Sequence, residues 1–190
     1  MTWKSISSIL IFILSFIGGK LAYSALFSES ETASFESSDW KKQFDLGITY
    51  EAPFELSVKE IALPANIKPF VKNLSTYMYD SKAISFMLSK AEYNDDIQTD
   101  LNGAVQGAIQ NISVSEGVSE FKYQTKNCSR NGLLGKKIEA TLKIKGKEAE
   151  MVAELYAAGN RLIQVMFTNL SYTENREIRN KIFNSLRVTL

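Results

Sequence analysis

Hydrophobic and polar residues alternate with a period of two through much of the C-terminal half of the chain. Every second residue is apolar at positions 138–144 and again at positions 149–155, and lysine and glutamate occupy most positions between them. Period two is the spacing of side chains that point to one face of a β-strand. The pattern therefore predicts two strands joined by a two-residue turn at Gly146-Lys147.

That turn also predicts the register of the hairpin. It sets Lys143 opposite Glu150 and Leu142 opposite Met151. Opposite charges then pair on one face and apolar side chains pair on the other, as cross-strand contacts favour. We therefore expect one face of this hairpin to meet the core and the other to carry charge.

A third strand, residues 162–170, follows a loop that contains a glycine and an asparagine at positions 159 and 160. A two-residue loop would set Glu154 opposite Val165 and mix the two faces. A three-residue loop, residues 158–160, sets Ala153 opposite Val165 and keeps one face apolar. We therefore predict three loop residues, with the glycine or the asparagine at positive φ.

Four shorter patterns predict strands earlier in the chain. Residues 73–79 and 83–93 form a hairpin around a turn at residues 80–81, and residues 47–51 and 121–126 form single strands. In the hairpin, Ile84, Phe86 and Leu88 lie on one face, as the spacing of a strand predicts.

Apolar residues at spacings of three and four predict two helices. The first covers residues 97–112, with Asp95 and Gln98 as its cap, and the second starts with Ser171 and Glu174 in the same relation. The apolar face of the second helix consists of Ile178, Ile182, Phe183 and Leu186. The order of elements predicts an α+β fold, a largely antiparallel sheet of about six strands with two main helices packed on it.

The N-terminus has a different pattern, because residues 6–17 are apolar apart from three serines. Lys4 precedes this run and Gly18-Gly19 follows it, which is the layout of a secretory signal with cleavage before Ala25. Residues 6–27 are also long enough to span a bilayer as an uncleaved anchor. Both alternatives place the rest of the chain outside the cytoplasm.

The sequence thus divides into three parts. Residues 1–27 are a signal peptide or signal anchor that forms an N-terminal hydrophobic helix, residues 28–39 are a polar linker rich in serine and glutamate, and residues 40–190 are a single α+β domain. The leader holds two of the 22 basic residues, so 20 basic and 21 acidic residues remain. This balance gives no basic excess for binding nucleic acid.

Histidine is absent from the sequence, and Cys128 is the single cysteine. The chain therefore lacks the side chain that most readily exchanges protons near neutral pH, and it cannot form an intramolecular disulfide. No catalytic residue, cofactor site or metal site is predicted.

Short packing and turn motifs carry a family resemblance. They are Ile-Thr-Tyr-Glu-Ala-Pro-Phe at residues 48–54, Leu-Pro at 63–64, Gly-Leu-Leu-Gly at 132–135 and Ile-Phe-Asn-Ser-Leu at 182–186. With the exported leader and the order of elements, they resemble the PsbP/Mog1-like fold over residues 44–188. The resemblance implies an α/β/α sandwich and a non-enzymatic scaffold that binds another protein or stabilises an assembly.

Acidic residues crowd one loop, at Glu92, Asp95, Asp96 and Asp100. They lack the alternate spacing, bend glycine and distal glutamate of a calcium loop, and helix capping explains them better. A hydrolase that uses Glu92 and Asp96 is one alternative function, and a carrier of lipid or another small ligand in an apolar cavity is a second. The favoured hypothesis is an extracytoplasmic, membrane-tethered or secreted, non-catalytic binding module for another protein.

Four apolar side chains are predicted as neighbours on the charged face of the three-stranded meander. They are Val152, Tyr156, Leu162 and Met166. They form either an exposed patch for a partner or a patch covered by the segment around Trp40 and Phe44 or by residues 54–70. The covered arrangement is favoured, because this architecture often shields both faces of its sheet.

Overall fold

The computed structural model describes residues 35–171 and 173–189 of the chain. The predicted signal peptide or anchor, residues 1–27, lies outside the described residues, and so does most of the predicted linker. Phe35 belongs to that linker segment, and its ring lies 5.8 Å from the ring of Phe54. Neither described α-helix is long and apolar enough to cross a bilayer.

The described residues form ten strands and two α-helices. The strands are β1 (Lys41–Asp45), β2 (Ile48–Ala52), β3 (Ser57–Val58), β4 (Val71–Asp80), β5 (Ile84–Tyr93), β6 (Val118–Arg130), β7 (Leu133–Ile144), β8 (Lys147–Ala158), β9 (Arg161–Leu170) and β10 (Arg187–Val188). The helices are α1 (Leu101–Ser113) and α2 (Thr173–Ser185), and single turns of 3-10 helix lie at Ser37–Asp39 and Lys68–Phe70.

The strands form two antiparallel sheets. The larger one has the order β3-β4-β5-β9-β8-β7-β6, and the smaller one has the order β1-β2-β10. The predicted α+β class is therefore confirmed, although the described strands exceed the six or so expected. The hairpin β4–β5 lies where the sequence predicted it, and β6 extends beyond the predicted residues 121–126 at both ends.

Both faces of the large sheet are covered, and each contributes to its own core. On one face, α1 packs against β6, β7 and β8, and residues 61–71 pack over the other end. On the opposite face, α2 and the small sheet pack against β4, β5 and β9. We call these the α1 face and the α2 face. Strand β9 is covered on both faces, since nine of its ten residues are buried, and six of the ten are apolar.

The hairpin β7–β8 has the predicted faces but a different register. Its turn is Lys145-Gly146, both with positive φ (46° and 81°), so Lys143 lies opposite Glu148 and Leu142 opposite Ala149. Two consecutive left-handed residues match the twist of the flanking strands. The predicted turn at Gly146-Lys147 was therefore wrong by one residue, and the predicted register by two.

The loop between β8 and β9 has two residues, so the predicted three-residue loop is wrong. Glu154 does lie opposite Val165. The prediction assumed that only one face is buried, whereas Glu154 is itself buried on the α2 face, beside Arg130. The expected positive φ is confirmed at Gly159, where φ is 59°.

Helix α1 starts later than predicted. Asp100 caps it, because its side chain accepts a hydrogen bond from the backbone N–H of Asn102 at 3.0 Å. Asp95, the predicted cap, lies five residues upstream and instead pairs with Lys72 at 2.7 Å. The four residues predicted as the apolar face of the second helix are all buried, although the helix starts at Thr173 and Leu186 lies one residue beyond its end.

Candidate binding groove and its buried ion pair

An open groove lies where the cover on the α2 face ends. Helix α2 and the small sheet leave the surface of β6, β7 and the start of β8 uncovered, and the groove there has a volume of about 510 Å³. Polar and charged side chains dominate its lining, which includes Lys122, Gln124, Glu139, Thr141, Glu150 and Arg179.

Glu139 lies in this groove and binds three donors. Lys137 Nζ and Lys126 Nζ lie 2.8 and 2.9 Å from its carboxylate, and Gln124 Nε2 donates to it at 2.9 Å. The hydrogen bond from Lys137, together with Lys126, lowers the pKa of Glu139 to about 2. This carboxylate is therefore ionised at any physiological pH.

Glu150 is held in a comparable way by α2. Arg176 Nε donates to Glu150 Oε1 at 2.7 Å, and Arg179 Nη1 donates to Oε2 at 2.8 Å. Burial alone would raise the pKa of Glu150, but the two guanidinium groups outweigh it and lower the pKa. The pair of arginines also links α2 to β8.

These carboxylates are suited to ion pairing and not to acid–base chemistry. A pair of catalytic carboxyls needs pKa values that are pushed apart, with one raised towards neutral pH. In the groove, the pKa values of Glu139 and Glu150 are both lowered. Neither group therefore has the protonated form that a general acid requires.

The acidic loop does not converge on the groove. Glu92 lies on β5 opposite Asn73 and Arg161, while Asp96 is exposed in the turn before α1. Within residues 35–171 and 173–189, no three side chains of His, Cys, Asp or Glu are grouped as a metal ion would require. Helix capping and the pairing with Lys72 account for two of the four acids, Asp100 and Asp95.

A buried ion pair lies on the same face of the sheet, close to the β6–β7 turn. Arg130 donates from Nε and Nη2 to the two carboxylate oxygens of Glu154, each at 3.0 Å. The side chain of Glu154 is 2% exposed and that of Arg130 is 21% exposed. The hydroxyl of Tyr156 also donates to Glu154, which leaves the buried carboxylate with three hydrogen bonds. This bidentate geometry is the arrangement that offsets the cost of burying a charge.

Cys128 and Gly135 complete this cluster. The thiol of Cys128 lies 3.8 Å from the hydroxyl of Tyr156, and burial, with the charge of Glu154, raises the pKa of the thiol. A Cβ at position 135 would lie 2.6 Å from two ring carbons of Tyr156. Only glycine at position 135 lets the tyrosine ring lie across β7, which gives a physical reason for the Gly-Leu-Leu-Gly motif.

The four candidate partner residues do not share a surface. Val152 and Tyr156 are 7% and 0% exposed on the α2 face, whereas Leu162 and Met166 are 3% and 2% exposed on the α1 face. The two-residue β8–β9 loop causes this difference, because it turns the even-numbered residues of β8 and β9 to opposite faces. The four residues are therefore not neighbours on one face, and each of them is buried in one of the two cores.

Sequence reasoning did not find the Arg130–Glu154 pair. The available signal was Glu154 itself, a single acid within the otherwise apolar residues 151–156. A buried acid needs a cation, and no position in the sequence pattern identifies Arg130 as that cation.

Comparison with known proteins identifies the fold. The cyanobacterial PsbP (CyanoP) from Synechocystis sp. PCC 6803 superposes with a TM-score of 0.54 at 9% identity, covering 84% of this chain and 98% of that one. LpqN of Mycobacterium tuberculosis, described as involved in cell envelope biogenesis, gives a TM-score of 0.49 at 13% identity, with 80% and 91% covered. No protein-family model matches the sequence, and no curated protein matches it either. The domain therefore has the PsbP-like fold that the motifs indicated.

Proposed function

We propose that this protein is an extracytoplasmic, non-catalytic module that binds another protein through the groove on the α2 face. The observation that carries the proposal is that this groove is the charged, uncovered part of a sheet face that is otherwise closed. Its carboxylates are held in ion pairs, so it offers fixed charges and hydrogen-bonding groups to a partner.

The leader supports the extracytoplasmic location. Residues 1–27 have the charged start, apolar run and glycine break of an export signal. Cleavage near Ala25 would release the domain, and retention of residues 6–27 would tether it to the membrane. Intact mass of protein purified from its host separates these two cases. A chain that stays in the cytoplasm and keeps Met1 without membrane association would contradict the proposed location.

Site-specific crosslinking tests the binding function. A photoreactive amino acid at Lys122, an exposed groove residue, is compared with the same group at Lys68, an exposed residue of the 3-10 turn before β4. We expect the full chain in its host to form a discrete crosslinked product from position 122 and not from position 68. Equal crosslinking from both positions, or none from position 122, would overturn the proposal.

A further inference from the structure

Strand β6 has a long open edge. It pairs with β7 on one side, and no strand among residues 35–171 and 173–189 pairs with its other side. After a bulge at residues 119–122, the pairing with β7 continues without a break over residues 122–130. The opposite edge of the sheet, β3, has only two residues. An open strand edge presents unpaired N–H and C=O groups to which an extended chain can add.

Ion pairs hold this edge in place at both ends. Arg130, the last residue of β6, is bound to the buried Glu154 at 3.0 Å. At the bulge, Lys143 Nζ lies 2.6 Å from the carboxylate of Glu120. An edge that is fixed before binding loses little conformational entropy when a partner strand adds to it.

The side chains of β6 form two rows of different chemistry. On the α2 face, Lys122, Gln124 and Lys126 are exposed, and the first two line the groove. On the α1 face, the rings of Phe121 and Tyr123 stack at 5.4 Å, and Tyr123 is 50% exposed. Cross-strand contacts favour opposite charges and favour aromatic residues beside aromatic or β-branched ones.

We propose that the partner supplies an extended segment that adds to β6 as a further strand, with acidic side chains alternating with β-branched or aromatic ones. Its acidic side chains lie beside Lys122 and Lys126, and its apolar side chains lie beside Phe121 and Tyr123. This inference rests on the proposed binding function and names the chemistry of the partner.

The same lysines disfavour a second copy of this chain as the occupant. Two β6 strands joined edge to edge would place both lysine rows on one face of the combined sheet, where like charges repel. Lysines on an open edge also discourage strand addition in general. Here they would select for a strand that carries matching acids, and against neutral or basic strands.

A synthetic peptide tests the inference directly. The full chain in detergent is titrated with a labelled ten-residue peptide of alternating glutamate and valine, and binding is followed by fluorescence anisotropy. The control peptide has the same sequence with N-methyl groups on alternate residues, which removes backbone donors and keeps the charge. Strand addition predicts that N-methylation weakens binding by about tenfold or more, since several backbone hydrogen bonds are lost.

Charge reversal on the protein gives the second arm. Lys122→Glu should weaken binding of the acidic peptide about three- to tenfold, and Lys68→Glu, far from β6, should change it less than about twofold. Equal binding of the N-methylated peptide would overturn the inference, because it would show charge attraction without strand pairing. Failure of the peptide to bind while crosslinking from position 122 persists would overturn the inference and leave the proposed function standing. Failure of both would overturn both.

Discussion

The two faces of the large sheet are buried in different ways. The α1 face is filled mainly by aliphatic residues, by the buried ring of Tyr93 and by four methionines, Met78, Met87, Met151 and Met166, and its buried polar side chains on the strands are neutral. The α2 face has an aromatic centre, where the rings of Tyr50, Phe54, Phe86 and Phe167 meet, and beside it lie buried and half-buried charges.

The two faces of the sheet therefore have different roles: side chains of the α1 face pack a core, and those of the uncovered part of the α2 face carry charge. Neutral side chains on the α1 face fill the space between the sheet, α1 and residues 61–71, and Tyr123 at the edge of this face stays half exposed. On the α2 face, helix α2 and the small sheet do not reach β6. Ion pairs replace apolar contacts in this solvent-accessible part of the face. The ion pairs of Glu139 and Glu150 therefore lie where the proposed partner binds.

The largest expected effect comes from breaking the buried ion pair on the α2 face. Arg130→Met leaves the carboxylate of Glu154 buried without its cation, which should lower the free energy of unfolding by about 3–5 kcal/mol. Urea unfolding followed by circular dichroism measures the change.

The double variant Arg130→Met/Glu154→Met sharpens this test. It removes both charges and fills their space with apolar groups, so it should recover most of the lost stability. Lys126→Met, at a half-exposed ion pair of the same strand, should cost less than about 1 kcal/mol. If the single variant Arg130→Met lost less stability than Lys126→Met does, the buried pair would not be the anchor of β6.

The strands could be predicted from the sequence because alternation depends only on which side chains face a core. The register of the strands could not be predicted as well, because it depends on whether the second face of the sheet is also buried and on which elements pack against it. The sequence pattern treats Glu154 as a solvent-facing residue, whereas its ion pair with Arg130 lets the two-residue loop place it in a buried position. For β6, the dipeptide Asn131-Gly132 carried a usable signal. Both residues have positive φ (49° and 80°), and this turn sets the end of the strand at Arg130.

The groove could not be predicted at all. Its existence depends on how far α2 and the small sheet extend across the face, which is a property of tertiary packing. Lys122 and Glu139 are ordinary strand residues in the sequence, and nothing in their spacing distinguishes them from the solvated residues of a covered sheet. The acids of the loop before α1 lie close together in the sequence and so form a visible pattern, whereas the groove residues come from separate elements.

A smaller effect tests the α1 face. The hydroxyl of Thr168 is buried without a hydrogen-bond partner among the described residues, whereas that of Thr76 lies 3.1 Å from the hydroxyl of Ser89. Thr168→Val should therefore raise the free energy of unfolding by about 1 kcal/mol, because it removes an unsatisfied group. Thr76→Val should lower it by about the same amount, because it leaves Ser89 unpaired. Thermal unfolding of the two variants measures both changes. If both substitutions raised the free energy of unfolding, or both lowered it, this description of the two hydroxyls would be wrong.

The smallest expected effect concerns pH and the rim of the groove. The pKa of Glu139 is about 2 in the folded protein and near 4.5 in an unfolded chain, so its ion pairs stabilise the fold fully above pH 4.5. That contribution is lost as the pH falls towards 2.

Glu139→Gln should therefore cost about 0.5–1 kcal/mol at pH 7, since the side chain is partly exposed. The difference from the parent protein should shrink between pH 4.5 and 2. Urea midpoints at about pH 7, 4.5 and 3, with exposed Glu55→Gln as the control, measure it. If the stability difference between Glu139→Gln and the parent protein stayed constant across this pH range, the substitution would act by perturbing packing. The ion pairs of Glu139 would then not stabilise the groove.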